Sequence, residues 1–342
     1  MLTKTKLSDW IHRDLDILIL PIAFVVITVI LGILNPDKFL TGNNISAMAF
    51  QIPELGLFTF AMMIAMITGG INLSIISTAN LTGICMAILM TRVLPADLSP
   101  MLMGIGLFGI ILIGLLIAAG LGSVNGLLIA FVGTSPVLTT IGTMVLYEGL
   151  TLAITKGYVI SGCPDMFIAL GNNRLVGIPV PFYIFIAAAI VLWLILKGRP
   201  FGRYLFYIGS NAKAVQYSGI DVNKVIVKAY ILSGIYSGLA GVVMLSRLGS
   251  ANARYGVSYM LLSVLLSVLG GTDPDGGFGK VSGIIIGLFT LQSLTSGFNL
   301  MNVNSYVTVA LWGVLLLLII RYRRFAEDRR NTWLIKKIGK QE

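Results

Sequence analysis

Histidine and cysteine are nearly absent: one histidine, His12, and two cysteines, Cys85 and Cys163, in 342 residues. The histidine sits in a basic N-terminal stretch, so the apolar regions hold no imidazole to shuttle protons or bind a metal. Cys85 falls in an apolar run and Cys163 in a polar one, without ligand spacing, which argues against a disulfide or a metal site. Charge is scarce as well. Charged residues make up 11% of the chain, whereas soluble domains carry about a quarter. Catalytic signatures are missing: there is no G-x-x-x-x-G-K-[ST], no H-E-x-x-H and no G-x-S-x-G. Gly276-Gly277-Phe278-Gly279-Lys280 is followed by Val281, which lacks the hydroxyl that a phosphate loop needs. The chain is expected to be no enzyme and to bind no cofactor itself.

What is present is apolar sequence. Hydrophobic residues make up 56% of the chain and mean hydropathy is +0.93. A membrane-crossing helix takes roughly 20 apolar residues, so about eight to eleven fit and no large soluble domain remains. The first run, Ile17 to Leu34, is too long for the core of a signal peptide, and Asn35-Pro36-Asp37 is a poor cleavage site.

The net charge of +10 is concentrated in three places. Lys4, Lys6 and Arg13 precede the first apolar run. Lys197, Arg199, Arg203, Lys213, Lys224 and Lys228 surround a central polar stretch. Arg321, Arg323, Arg324, Arg329, Arg330, Lys336, Lys337 and Lys340 follow the last run. The positive-inside rule puts all three in the cytoplasm. Contact with anionic membrane lipid follows from that placement, and nucleic acid is not an expected partner. The chain divides into a cytoplasmic tail (1–16), a transmembrane domain (17–320) holding a cytoplasmic segment (198–224), and a basic cytoplasmic tail (321–342).

An all-α polytopic fold of about ten spans satisfies this topology. The spans are read at 17–34, 45–68, 73–90, 101–131, 137–154, 182–196, 225–245, 259–269, 281–300 and 306–320. The fourth is too long for one straight helix, which predicts tilt or a break near Gly120–Gly126. The stretches 156–181 and 246–258 fall outside as loops. Small residues four apart, as in Ala118-Gly122-Gly126 and Gly234-Gly238, predict close helix packing. Gly69-Gly70 ends a span in the first half and Gly270-Gly271 ends one in the second. Paired glycine breaks of this kind point to a transporter with pseudo-symmetric halves.

Three groups of residues carry possible chemistry. Asn72, Ser74, Ser77, Thr78 and Asn80 form a neutral polar set after the first break, suited to exchanging hydrogen bonds with a hydroxylated solute. Thr272, after the second break, is grouped with it. Interhelical hydrogen bonding is the plain alternative. Glu54 and Glu148 lie within spans, where ionisable groups are expensive. They would suit an ion-gradient-driven carrier, although the spans hold almost no basic partners. In the cytoplasmic segment, Asn211 or Ser210 can N-cap a two-turn helix that Gly219 ends. Its apolar face would be Ala214, Val215 and Tyr217, flanked by Arg203, Lys213 and Lys224.

Three ordered motifs resemble the membrane-spanning permeases of ribose-type simple-sugar and autoinducer-2 ABC importers, over about residues 15–320. Gly69-Gly70-Ile71-Asn72-Leu73-Ser74 resembles the family's G-G-I-D-[LI]-S, with an amide in place of the usual acid. Gly202-Arg203 with Gly209-Ser210-Asn211, Ala214 and Gly219-Ile220 resembles its cytoplasmic coupling segment. Leu269-Gly270-Gly271-Thr272 with Gly276-Gly277-Phe278-Gly279 resembles its L-G-G-T-x-x-x-G-G-x-G. Tyr147-Glu148-Gly149 carries an acid where the family more usually has a base. The resemblance implies a type II importer permease with broken helices in the bacterial inner membrane. It also implies a second permease copy or homologue, a periplasmic or lipid-anchored solute-binding protein, and a cytoplasmic ATPase that carries ATP and magnesium and grips the Asn211–Ser218 helix.

Overall fold

The computed structural model describes residues 20–95 and 98–304, with positions 307, 308, 310–314, 317 and 321. Helices dominate: α1 (Leu20–Leu34), α2 (Gly42–Ile67), α3 (Ile75–Arg92), α4 (Pro100–Leu127), α5 (Pro136–Thr155), α6 (Asp165–Asn172), α7 (Val180–Gly198), α8 (Pro200–Tyr217), α9 (Val222–Leu248), α10 (Tyr259–Leu269) and α11 (Val281–Leu300). Seven of them are long and apolar enough to cross a membrane, and α1 and α10 are shorter apolar helices. Of the expected last span, 306–320, eight of the fifteen positions are described and all eight are helical, whereas both tails lie outside the described residues apart from Arg321.

The helix starts follow from sequence. Thr41 caps α2 through its hydroxyl, and Asp221 caps α9 by accepting the Lys224 N–H at 3.1 Å. Proline opens α4, α5 and α8, where its missing N–H costs nothing. Helix α2 is the axis of the bundle: every residue from Ile52 to Ile67 is buried, so it has no polar face. Helix α9 packs along it, α3 packs on the far side of α9, and both are also mostly buried, whereas α4, α5 and α7 turn apolar faces outward. The outward apolar faces are unlike a soluble protein's surface and fit a lipid surround.

Three expectations are corrected. The change in α4 falls beyond Gly120–Gly126, at a π turn over Leu128–Val132. The glycine stretch serves packing instead: a methyl on Gly122 would collide with the Tyr230 carbonyl, and one on Gly234 with the Ala118 carbonyl. Helices α4 and α9 therefore cross with their backbones in contact. The stretch 156–181 is not a plain loop. Strand β1 (Ile160–Ser161) pairs antiparallel with β4 (Ser250–Ala251), and β2 (Arg174–Leu175) with β3 (Ile178–Pro179). Helix α6 lies against the end of α9 with Phe167 buried and Gly171 against Ser246. Finally, the segment after α7 is helical from Pro200 onward, well before the two-turn helix that the caps foretold.

Candidate functional site

Helix α8 is two helices joined at Asn211. Its backbone leaves the helical region there (φ −163°, ψ 94°), and its Oδ1 accepts the Ala214 N–H at 3.0 Å. That is N-cap geometry, and it starts a short helix that ends at Gly219, in the left-handed region at φ +79°. Arg203, Asn211, Lys213, Ala214, Tyr217 and Gly219 are exposed. Tyr217, at 91% exposed, projects alone. Val215 departs from expectation. It is buried in the main hydrophobic core, so it anchors the helix to its own protomer and is not part of the free face.

The three glycine motifs meet at the base of this helix. The Gly277 N–H donates to the Ile67 carbonyl at 2.9 Å, where α2 ends. A methyl on Gly209 would strike both the Ile67 carbonyl and the Gly277 N–H. One on Gly276 would lie 2.7 Å from the Gly69 nitrogen and 2.9 Å from Gly209 Cα. Gly69 itself is at φ +81°. The break after α2, the middle of α8 and the loop after α10 thus touch backbone to backbone. Gly270 and Gly271 turn the chain out of α10, with Gly271 at φ +90°.

The neutral polar set lies inside the bundle. Asn72 donates from Nδ2 to Ser233 Oγ at 2.9 Å, and its Oδ1 accepts from Ser74 N (3.1 Å) and Ser74 Oγ (2.8 Å). Ser233 Oγ donates onward to the Ala61 carbonyl at 2.7 Å. Asn125 Nδ2 donates to Ser74 Oγ at 2.8 Å, and Thr143 Oγ1 to Asn125 Oδ1 at 2.6 Å. Five helices, α2, α3, α4, α5 and α9, are tied by this node. Ser77 bonds back to the Ser74 carbonyl, and Asn80 holds the Ala253 and Tyr255 carbonyls at 2.9 and 3.0 Å. Thr272 is fully buried beyond α10, its N–H closed on the Ser267 carbonyl. None of Asn72, Ser74, Ser77, Asn80 and Thr272 exceeds 5% exposure, so in this conformation their polar atoms face protein.

The two acids differ. Glu54 is buried, with Oε1 3.1 Å from Arg247 Nε, and Tyr259 donates to its Oε2 at 3.2 Å. Arg247 is the intramembrane base that the sequence reading missed. It sits in the last turn of α9, just past the expected end of that span, and also donates to the Phe50 carbonyl at 3.1 Å. Glu148 is partly exposed on α5 and faces Arg254 at 3.8 Å.

Residues 44–320 match the family described as the branched-chain amino acid transport system / permease component. The chain belongs to this permease family. It is 36% identical to the ribose import permease of Bacillus subtilis, over 86% of this chain and 88% of that one. It is 30% identical to the D-allose transport system permease of Escherichia coli over 87% and 89% of the two chains. With an autoinducer 2 import system permease of an Enterobacter species the identity is 32%, over 90% and 92%. No solved structure gives a significant match. The chain is thus a polytopic membrane permease subunit with a transport role.

Proposed function

We propose that this permease imports a small neutral polyhydroxylated solute, of the monosaccharide type named for its relatives, with the work done by a separate ATPase. The convergence of Gly69, Gly209 and Gly276 at the foot of the exposed Asn211–Tyr217 helix carries the reading. A surface helix capped at both ends, starting two residues from a backbone contact with the end of the central span, is suited to receive a stroke from outside the membrane. ATP and magnesium belong to the ATPase, which would hold the face formed by Arg203, Asn211, Lys213, Ala214 and Tyr217. A solute-binding protein would deliver cargo to the opposite end, where α6 and the β1–β4 pair lie, and a second permease would complete the pathway. Both termini and α8 are then cytoplasmic in a bacterial inner membrane.

In this scheme the Asn72 node is the closed form of the solute route. Opening would exchange the bonds among Asn72, Ser74, Ser77 and Asn80 for bonds to solute hydroxyls, neutral for neutral, without desolvating a charge. A gradient-driven carrier is less well supported, because the acid it would use at Glu54 is already held by Arg247. Uptake into inverted-orientation-controlled vesicles with the assembled complex is the test. Dependence on ATP that survives a proton ionophore is expected; uptake that the ionophore abolishes while ATP is present would reject the proposal.

A further inference from the structure

The elbow where α7 turns into α8 holds an open groove of about 360 Å³. That is within the size range of small-ligand sites, roughly 300–1,000 Å³. Its lining combines exposed cations with half-buried apolar residues. At the rim stand Arg199, between the two helices, and Lys228, both exposed. Its floor is Ile195 on α7 with Ile231, Leu232 and Ile235 on α9. Lys228, Ile231, Leu232 and Ile235 stand at i, i+3, i+4 and i+7 on α9, so a single stripe of that helix joins a cation to three apolar side chains.

The charges at this rim are uncompensated. Lys224 is paired with Asp221 at 2.9 Å, and Lys197 lies 5.4 Å from the Trp193 ring centroid. Arg199 and Lys228 make no ion pair among the described residues. Between Asp165 and Asp273 the sequence holds a single acid, Asp221, so the chain has little of its own to offer them. Two free cations above an apolar slot, at the level where two spans end, fit an amphiphile with an anionic head.

We propose that this groove binds an anionic phospholipid, its phosphate between Arg199 and Lys228 and an acyl chain along Ile231, Leu232 and Ile235. The lipid would brace the elbow and so hold α8 at a fixed angle to the bundle. The inference rests on the proposed placing of α8 at the cytoplasmic leaflet. Its readout, lipid retention by the permease alone, is separate from ATP-driven uptake, so either can fail without the other.

The test is native mass spectrometry of the purified full-length chain in detergent with equimolar phosphatidylglycerol and phosphatidylcholine. The wild type should retain phosphatidylglycerol with a preference of about tenfold or more. Arg199→Ala with Lys228→Ala should reduce the preference to near parity. Lys224→Ala with Lys280→Ala, equal in charge removed, should keep it. Ile235→Trp, which fills the floor and spares both cations, should also lose retention. No preference in the wild type overturns the proposal, as does a preference that the Arg199/Lys228 variant keeps. So does displacement of the lipid by equimolar inorganic phosphate, which would assign the groove to a simple anion.

Discussion

Arg247 Nε lies 3.1 Å from Glu54 Oε1, joining the last turn of α9 to the middle of α2 inside the apolar bundle. The pair does not stand alone. Tyr259, the first residue of α10, reaches the other carboxylate oxygen, and the guanidinium also takes the Phe50 carbonyl. Pro53 lies inside α2 and cannot donate an N–H to the turn before it. That leaves the Ala49 carbonyl without its helical donor, and the arginine donates to the neighbouring Phe50 carbonyl while neutralising the acid.

Breaking this pair from one side leaves a buried charge without a partner, which costs about 3–5 kcal/mol. Arg247→Met should therefore lower the thermal unfolding midpoint of the detergent-solubilised protein sharply. Adding Glu54→Gln should recover much of the loss. A double variant as unstable as the sum of its singles would show that the two residues act independently.

Asn72 is specified as an amide by its neighbours. Ser233 Oγ spends its proton on the Ala61 carbonyl, so it can only accept from Asn72. Asn72→Asp would set a carboxylate oxygen against that lone pair, and Asn72→Leu would leave the Ser74 N–H and hydroxyl without their acceptor and remove the donor to Ser233 Oγ. Each change should cost about 1–3 kcal/mol and reduce uptake, with insertion and ATPase binding retained. Wild-type uptake in Asn72→Leu would confine the node to packing.

The coupling face is small, so single substitutions should be decisive. Ala214→Glu places a charge where a partner's packed cleft is expected and should abolish ATP-driven uptake and ATPase co-purification, while dimers persist. Lys213→Ala should do far less. Val215→Ala acts differently: it opens a hole in the permease's own core and should destabilise it by about 1–3 kcal/mol. Normal ATPase capture by Ala214→Glu would remove this helix from the interface.

Orientation is checked by labelling. A cysteine at Ser210, beside the helix joint, should react only from the cytoplasm, and one at Asn172, on the exposed side of α6, only from outside. Reaction of the Asn172 site from the cytoplasm would invert the topology.

The spans were legible because lipid demands long apolar runs and because glycine and proline mark their ends. Helices α10 and α11 have the expected limits, and α2, α5 and α7 lie within a few residues of theirs. The Asn211 cap and the Gly219 stop were legible for the same local reason. Arg247 was not, since its partner is remote in sequence and local hydropathy placed it in a loop. Helix α6 is too short for its pattern to rise above the polar residues around it. The long first half of α8 had a readable cue in Pro200, a residue suited to opening a helix. The inward turn of Val215 depends on tertiary packing that no local pattern encodes.

At the meeting of Gly69, Gly209 and Gly276 there are no side chains to bend. Rotamer changes absorb small displacements in most protein contacts, but backbone resting on backbone has no such slack. A displacement of α8 at Gly209 would pass directly to the end of α2, and α2 packs against α7, α9, α10 and α11. The joint would behave as a crank without play, which makes the smallest added methyl at Gly209 a change of gearing rather than a local blemish.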